Sequence, residues 1–193
     1  AIVSFDPREY DQMDQINIQG TANMVNIALL LGVEKFLHVS SIAAIGRNAE
    51  VAQADEQTEW QDSKWNTRYA ISKQESEMEV WRGAQEELEI VIVNPGVILG
   101  PGFWNSGSGS FFKTAAKGYK YYPPGGSGFI TINDVTNIMI ALMNSNIHNE
   151  RFILVAENLT YKQILEKIAL AMDKKPPTKA LKFWQLKKKL FQS

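Results

Sequence analysis

No cysteine occurs among the 193 residues, and there are only two histidines, His38 and His148. Structural disulfides, thiolate metal sites and cysteine nucleophiles are therefore excluded, a His-rich zinc centre cannot be assembled, and no metal site is expected. The lack of cysteine fits a reducing compartment, and the expected location is cytoplasmic. Long apolar runs are also missing. The stretch around Ile27 to Val33 falls well short of the ~18 residues a membrane-spanning helix needs, so no membrane span is expected. Neither sign of charge is in excess: 20 basic against 21 acidic side chains leave a net of -1, which gives no footprint for a nucleic-acid partner. The chain opens on Ala1 with no basic-then-apolar leader, and the expectation is that it begins inside a longer gene product.

What is present is enough for one sizeable core, with 45% hydrophobic residues. The charge divides along the chain. Residues 1–100 carry 7 basic and 16 acidic side chains, and residues 101–193 carry 13 and 5, so the halves face different surroundings. Tyr10, Met13, Ile16, Met24, Ile27, Ala28 and Leu31 recur at three- and four-residue steps and predict an amphipathic helix over 9–31, stopped by Gly32. Phe36 to Val39 reads as a short buried strand that ends in Ser40-Ser41. Residues 47–62 are acidic and aperiodic, which predicts a loop. A second helix over 66–88 leads into Ile90-Val91-Ile92-Val93, a strand buried on both faces, with Pro95-Gly96 at its exit.

Helix, buried strand, helix, buried strand is the order of a sheet with crossover helices, and ligands bind at the carboxyl ends of such strands. Further on, the pattern predicts a short helix through Ala116, a turn-rich stretch over 121–126 and a strand around Phe129 to Ile132. A helix capped by Asn133 or Asp134 and running to Met143 follows, then a strand over 151–155 and a helix from the capping-box pair Thr160 and Gln163 to Met172. The tail from Lys174 holds seven lysines. With Leu181, Phe183, Trp184, Leu186, Leu190 and Phe191 it reads as a basic amphipathic helix, packed on the protein or touching anionic lipid.

Candidate chemistry starts from Tyr69 and Lys73, four positions apart on one helix face. A phenol titrates near 10, and a neighbouring cation lowers that value toward neutrality. The spacing alone is equally well read as an exposed helix face. Ser40-Ser41, at the end of a strand, is by itself better read as turn chemistry. Together a serine hydroxyl, a tyrosine acid and a lysine cation suit proton transfer to a carbonyl oxygen while a cofactor delivers hydride to carbon.

These segments, with Asn17 to Asn23, Lys35 to Ser41, Asn94 to Pro101, Phe129 to Asp134 and Arg151 to Asn158, resemble the extended short-chain dehydrogenase/reductases, a branch of the NAD-dependent epimerase/dehydratase superfamily close to the dihydroflavonol reductases. The resemblance implies an α/β fold: a partial Rossmann-like doubly wound parallel sheet over residues 1–100, with a smaller C-terminal α/β substrate-binding region over 101–193, parts of which return to the sheet. It implies Ser41, Tyr69 and Lys73 as catalytic residues. Asn17, Ser40, Tyr69, Lys73, Pro95, Gly96, Val97 and Ile98 would lie against NAD or NADP, and Ser41, Ile42, Trp104 and Phe111 against substrate. A homodimer through helices 9–31 and 66–88, with Met78 and Trp81 as contacts, is also implied.

Related epimerases carry Arg before the matching proline, and here that residue is Asn94. This favours reduction of a ketone or aldehyde, or the reverse alcohol oxidation, over a nucleotide-sugar epimerase or dehydratase reaction. A non-catalytic binding protein with the same fold is the remaining alternative. The family's Gly-x-x-Gly-x-x-Gly turn does not occur in the sequence. The resemblance therefore places on the order of 60–80 residues of the nucleotide-binding fold before Ala1 and implies weak dinucleotide binding by this chain alone.

Overall fold

The computed structural model describes residues 1–46, 54–105 and 107–182. In chain order the elements are α1 (Tyr10–Asp14), α2 (Gly20–Leu30), β1 (Lys35–Val39), α3 (Arg68–Gln85), β2 (Glu89–Pro95), β3 (Val97–Leu99), α4 (Gly109–Ala116), β4 (Tyr121–Tyr122), β5 (Gly126–Thr131), α5 (Ile132–Met143), β6 (Glu150–Leu154), β7 (Glu157–Thr160), α6 (Tyr161–Ala171) and β8 (Lys179–Ala180). The fold is α/β with parallel strand pairing, as expected. The chain forms two compact units, 1–95 with 135–154 and 96–134 with 155–193. The lysine-rich helix expected beyond Lys182 lies outside the described residues.

In the first unit β2 is the central strand, parallel to β1 on one side and to β6 on the other. Its run of β-branched residues follows from that position: Ile90, Val91, Ile92 and Val93 are all 0% exposed, and both faces are covered. Burying each such side chain contributes on the order of 1.5–3 kcal/mol. Ile90 and Ile92 point to the face where Val25, Ala28, Val80 and Leu88 pack, the core shared with α2 and α3. By the strand's two-residue alternation Asn94 points to that same face.

The first predicted helix is a continuous helical run with a change of winding inside it. A 3-10 turn (Pro7–Glu9), capped by Asp6, leads into α1, a π-helical segment (Gln15–Gln19) and α2. A π segment adds one residue to a turn and re-phases the faces after it, and here it places Asn17 inside at 2% exposure. Of the expected apolar stripe only Met13 and Ala28 are fully inside, joined by Val25 from outside it, whereas Ile16, Met24, Ile27 and Leu31 are 42–72% exposed. The run ends as expected at Gly32, whose φ of +64° and the bond from Val33 N–H to the Ala28 carbonyl close the helix in a left-handed turn.

The second unit has β5 parallel to β3 and antiparallel to β7. Its core is Ala115, Phe129, Ile164, Ile168 and Ala169, with Phe111, Phe112 and Tyr161 packed against them. Two expectations are corrected here. The stretch expected to be turns contains β4, paired with β8 58 residues later, a non-local partner that local sequence does not announce. The cap of α5 is Thr131, whose Oγ1 accepts from the Asp134 N–H at 3.2 Å, and not Asn133 or Asp134. The capping box at Thr160 and Gln163 is formed as the sequence predicts.

Candidate active site

Strand β1 delivers Ser40 and Ser41 to the carboxyl edge of the sheet, and Ser40 N–H still donates to the Val93 carbonyl at 2.8 Å. The chain then turns into a short 3-10 helix (Ile42–Ile45) capped by Ser41, whose Oγ accepts from Ala43 N–H at 3.2 Å. Ile42 opens this turn. Thr67 caps α3 through Ala70 N–H at 3.1 Å and sets the helix start at Arg68, one residue before Tyr69. These two caps fix the two segments that carry the candidate residues.

The buried face of α3 is unusually polar, with Ser72, Lys73, Ser76 and Glu77 all at 3% exposure or less. Tyr69, Lys73 and Glu77 sit at successive four-residue steps along it. The Tyr69 phenol faces the Ser41 side chain, near enough for the serine hydroxyl to act on its titration. Burial pushes the Tyr69 pKa above its ordinary value, and the Ser41 hydroxyl works against that rise. This differs from the sequence expectation of a lowered value: in this chain desolvation of the phenol outweighs other influences, so Tyr69 is a protonated acid at neutral pH. The Lys73 ammonium donates to the Val39 carbonyl at 3.0 Å. Burial pushes its pKa down, and the Glu77 carboxylate opposes this.

Sequence reasoning did not find Glu77. Its Oε1 accepts from Asn94 Nδ2 at 2.6 Å, its Oε2 lies 3.8 Å from Arg151 Nη1, and the Ser40 hydroxyl faces the carboxylate without closing a bond. Asn94 Nδ2 also donates to the Ser41 carbonyl at 2.9 Å. Arg151 in turn donates to the carbonyls of Glu56 and Thr58 at 2.8 and 2.7 Å and so fastens the acidic segment to β6. The available signal was positional: Glu77 is one turn beyond Lys73 on the same stripe.

The remaining expected site residues separate. Asn17 uses its amide on the Ile2 backbone and on Ser72 Oγ, at 2.7–3.1 Å, and so braces the start of the chain against α3. Pro95 ends β2 and is buried. Gly96, Val97 and Ile98 belong to the second unit. A Cβ on Gly96 would stand 2.4 Å from the Gly128 carbonyl oxygen, so β5 backbone occupies the space a side chain would need. Phe111 packs in that unit's core, stacked on Tyr161 at 5.9 Å between centroids. Trp104 is 47% exposed and meets Phe112 edge-on at 5.4 Å.

Residues 1–122 match an NAD-binding family model described as Male sterility protein. The chain belongs to this family, within the extended short-chain dehydrogenase/reductases. It is 31% identical over 170 residues to sterol demethylase protein B of Methylococcus capsulatus, covering 86% of this chain and 51% of that protein. A putative dihydroflavonol 4-reductase of Synechocystis is 34% identical over 94 residues, 49% of this chain and 27% of its own length. UDP-glucose 4-epimerase of Vibrio cholerae is 25% identical over 184 residues, 89% and 52%. The crystal structure of gox2253 superposes with a TM-score of 0.84 at 27% identity, over 99% of this chain and 59% of that one. The chain thus spans about half the length of the curated relatives that it matches across most of its residues.

Among the described residues there is no cluster of acidic and histidine side chains that could hold a metal, and no helix is long and apolar enough to cross a membrane. The residues present do fit one edge of a nicotinamide nucleotide. Lys73 uses one of its three N–H donors on Val39 and the buried Ser40 hydroxyl has no partner, so these two would be the groups to meet the hydroxyls of such a nucleotide.

Proposed function

We propose that this chain carries the proton-transfer half of an NAD(P)-dependent oxidoreductase that reduces a ketone or aldehyde, or oxidises the corresponding alcohol. The observation that supports this reading is the Ser41 hydroxyl set against the Tyr69 phenol, with the Lys73 ammonium, held on the Val39 carbonyl, one turn further along α3. NAD(P)H, when bound, supplies the hydride that goes to the carbonyl carbon. Ser41 donates to the substrate oxygen and orients it. Tyr69 gives its phenolic proton to that oxygen as negative charge develops there, the O–H bond of Tyr69 breaks, and the phenolate remains until a proton from solvent restores it. Lys73 stabilises that phenolate and holds the ribose. A raised pKa for Tyr69 keeps it in the protonated form that reduction requires.

Within the first unit Asn17, Ser40 and Pro95 would support the cofactor side and Ile42 the substrate side; for the second unit the resemblance alone assigns Gly96, Val97 and Ile98 to cofactor and Trp104 and Phe111 to substrate. In Asn94, the chain departs from the Arg of the sugar epimerases it resembles, which favours the carbonyl reductase reading. The test is NADH and NADPH oxidation by the intact protein against a panel of aldehydes and ketones. Tyr69→Phe should lower turnover by a factor of 10²–10⁴, the usual range for general-acid catalysis, with cofactor affinity nearly unchanged. Turnover equal to wild type in Tyr69→Phe would remove Tyr69 from the role.

A further inference from the structure

We propose that Glu77 and Asn94 are positioning residues for the Ser41, Tyr69 and Lys73 site, Asn94 joining the Ser41 backbone to the Glu77 carboxylate and Glu77 facing Lys73 from the next turn of α3. The inference rests on the reading above for its purpose, but not for its geometry. All five residues lie in the first unit. Glu77 and Asn94 are 3% and 0% exposed, so a carboxylate on α3 and an amide on β2 have been buried where apolar residues could have stood. A buried carboxylate is costly unless charge and hydrogen bonds compensate it. Here the compensation comes from Asn94 Nδ2 at 2.6 Å, Arg151 at 3.8 Å and Lys73.

The same Asn94 nitrogen holds the Ser41 carbonyl at 2.9 Å. One amide therefore ties the serine turn to the helix that carries Tyr69 and Lys73, and the serine and phenol oxygens are held in one register. A bidentate guanidinium at position 94 would neutralise Glu77, whereas the neutral Asn94 leaves its charge to act on Lys73. The charged and titratable groups facing Lys73 are Glu77 on its own helix and His38 on β1. His38 is held neutral by burial, so Glu77 is the group that sets the local field. Arg151 faces Glu77 from β6.

The test is a ¹³C NMR titration of the lysine ε-carbons in the intact protein, with Lys73→Arg identifying the Lys73 signal. Glu77→Gln keeps the shape and the acceptor for Asn94 while removing the charge, and it should lower the Lys73 midpoint by about one pH unit, the low end for an opposite charge at this range. Glu77→Asp should recover part of that change. Asn94→Leu leaves the carboxylate without its donor and should move the midpoint in the same direction by less, which keeps the inference testable if Glu77→Gln fails to fold. A purely structural role would lower the melting temperature and leave the Lys73 midpoint where it is in the wild type, and that result would overturn the proposal. The readout needs no turnover: a shifted Lys73 with full activity in Tyr69→Phe would keep the positioning and remove the proposed reaction.

Discussion

His38 should make the protein acid-sensitive well above the range of its carboxylates. It lies in β1 with its Nε2 buried and without a partner, and burial, reinforced by the Lys73 charge, lowers its pKa from 6.5 to about 3. A group whose folded pKa is depressed binds fewer protons folded than unfolded between the two values. Its contribution to stability is complete above 6.5 and is lost as the pH falls toward 3. At pH 5 the unfolded imidazole is almost wholly protonated and the folded one is not, which corresponds to about 2 kcal/mol lost relative to neutral pH.

With a urea dependence of ~1–3 kcal/mol per molar, that loss moves the unfolding midpoint down by about 1 M. The assay is urea unfolding of wild type and His38→Phe at pH 7 and pH 5. Wild type should lose about 1 M more than the variant over this interval. The other groups titrate alike in both proteins, including Glu77, whose raised pKa has the opposite sign, and they cancel in the difference. Equal losses in the two proteins would refute the assignment of this limb to His38.

Gly96→Ala places a Cβ 2.4 Å from the Gly128 carbonyl oxygen, a backbone atom that cannot step aside. It should cost about 1–3 kcal/mol, read as a drop of several degrees in melting temperature, while Gly20→Ala, with its nearest neighbour at 3.8 Å, should be neutral or slightly stabilising. The apolar face formed by Met24, Ile27 and Leu30 on α2 and Met78 on α3 is 47–84% exposed, and we propose that it pairs with a second copy. Trp81 packs partly into the core of its own chain. Light scattering of wild type should give a dimer mass and Ile27→Lys a monomer mass; a monomeric wild type at high concentration would end the idea.

The elements that could be read from the sequence are those whose determinants are local. Strand β2 announces itself because a central parallel strand needs β-branched residues on both faces, and α6 because its capping box is a four-residue signal. The first helix shows where that reading ends. Met24, Ile27 and Leu31 have the spacing of a core stripe, and so do Met13, Val25 and Ala28. Periodicity cannot choose between two apolar faces, and the π segment that re-phases them leaves no mark in the composition. The β4 and β8 pair was invisible for a different reason, since two-residue strands are defined by a partner far along the chain.

The site divides along the same line. Ser41 and Tyr69 were legible as candidates because a strand-end serine and a tyrosine-lysine step are local patterns, and in the structure the serine hydroxyl faces the phenol. Glu77 and Asn94 were legible only as types: a glutamate on a Glu-rich helix defaults to solvent, and an asparagine before proline defaults to a turn. What reassigns both is that three strand positions, Ile90, Ile92 and Asn94, share one face, and that this face meets the polar stripe of α3. Once the strand is central and the helix crosses it, a carboxylate at position 77 has no route to water. It must find Asn94, Arg151 and Lys73 or be left an uncompensated buried charge. The same crossing that buries the core thus fixes the electrostatic surroundings of Lys73, so that substitutions at position 94, remote in sequence from Lys73, should act on that lysine through Glu77.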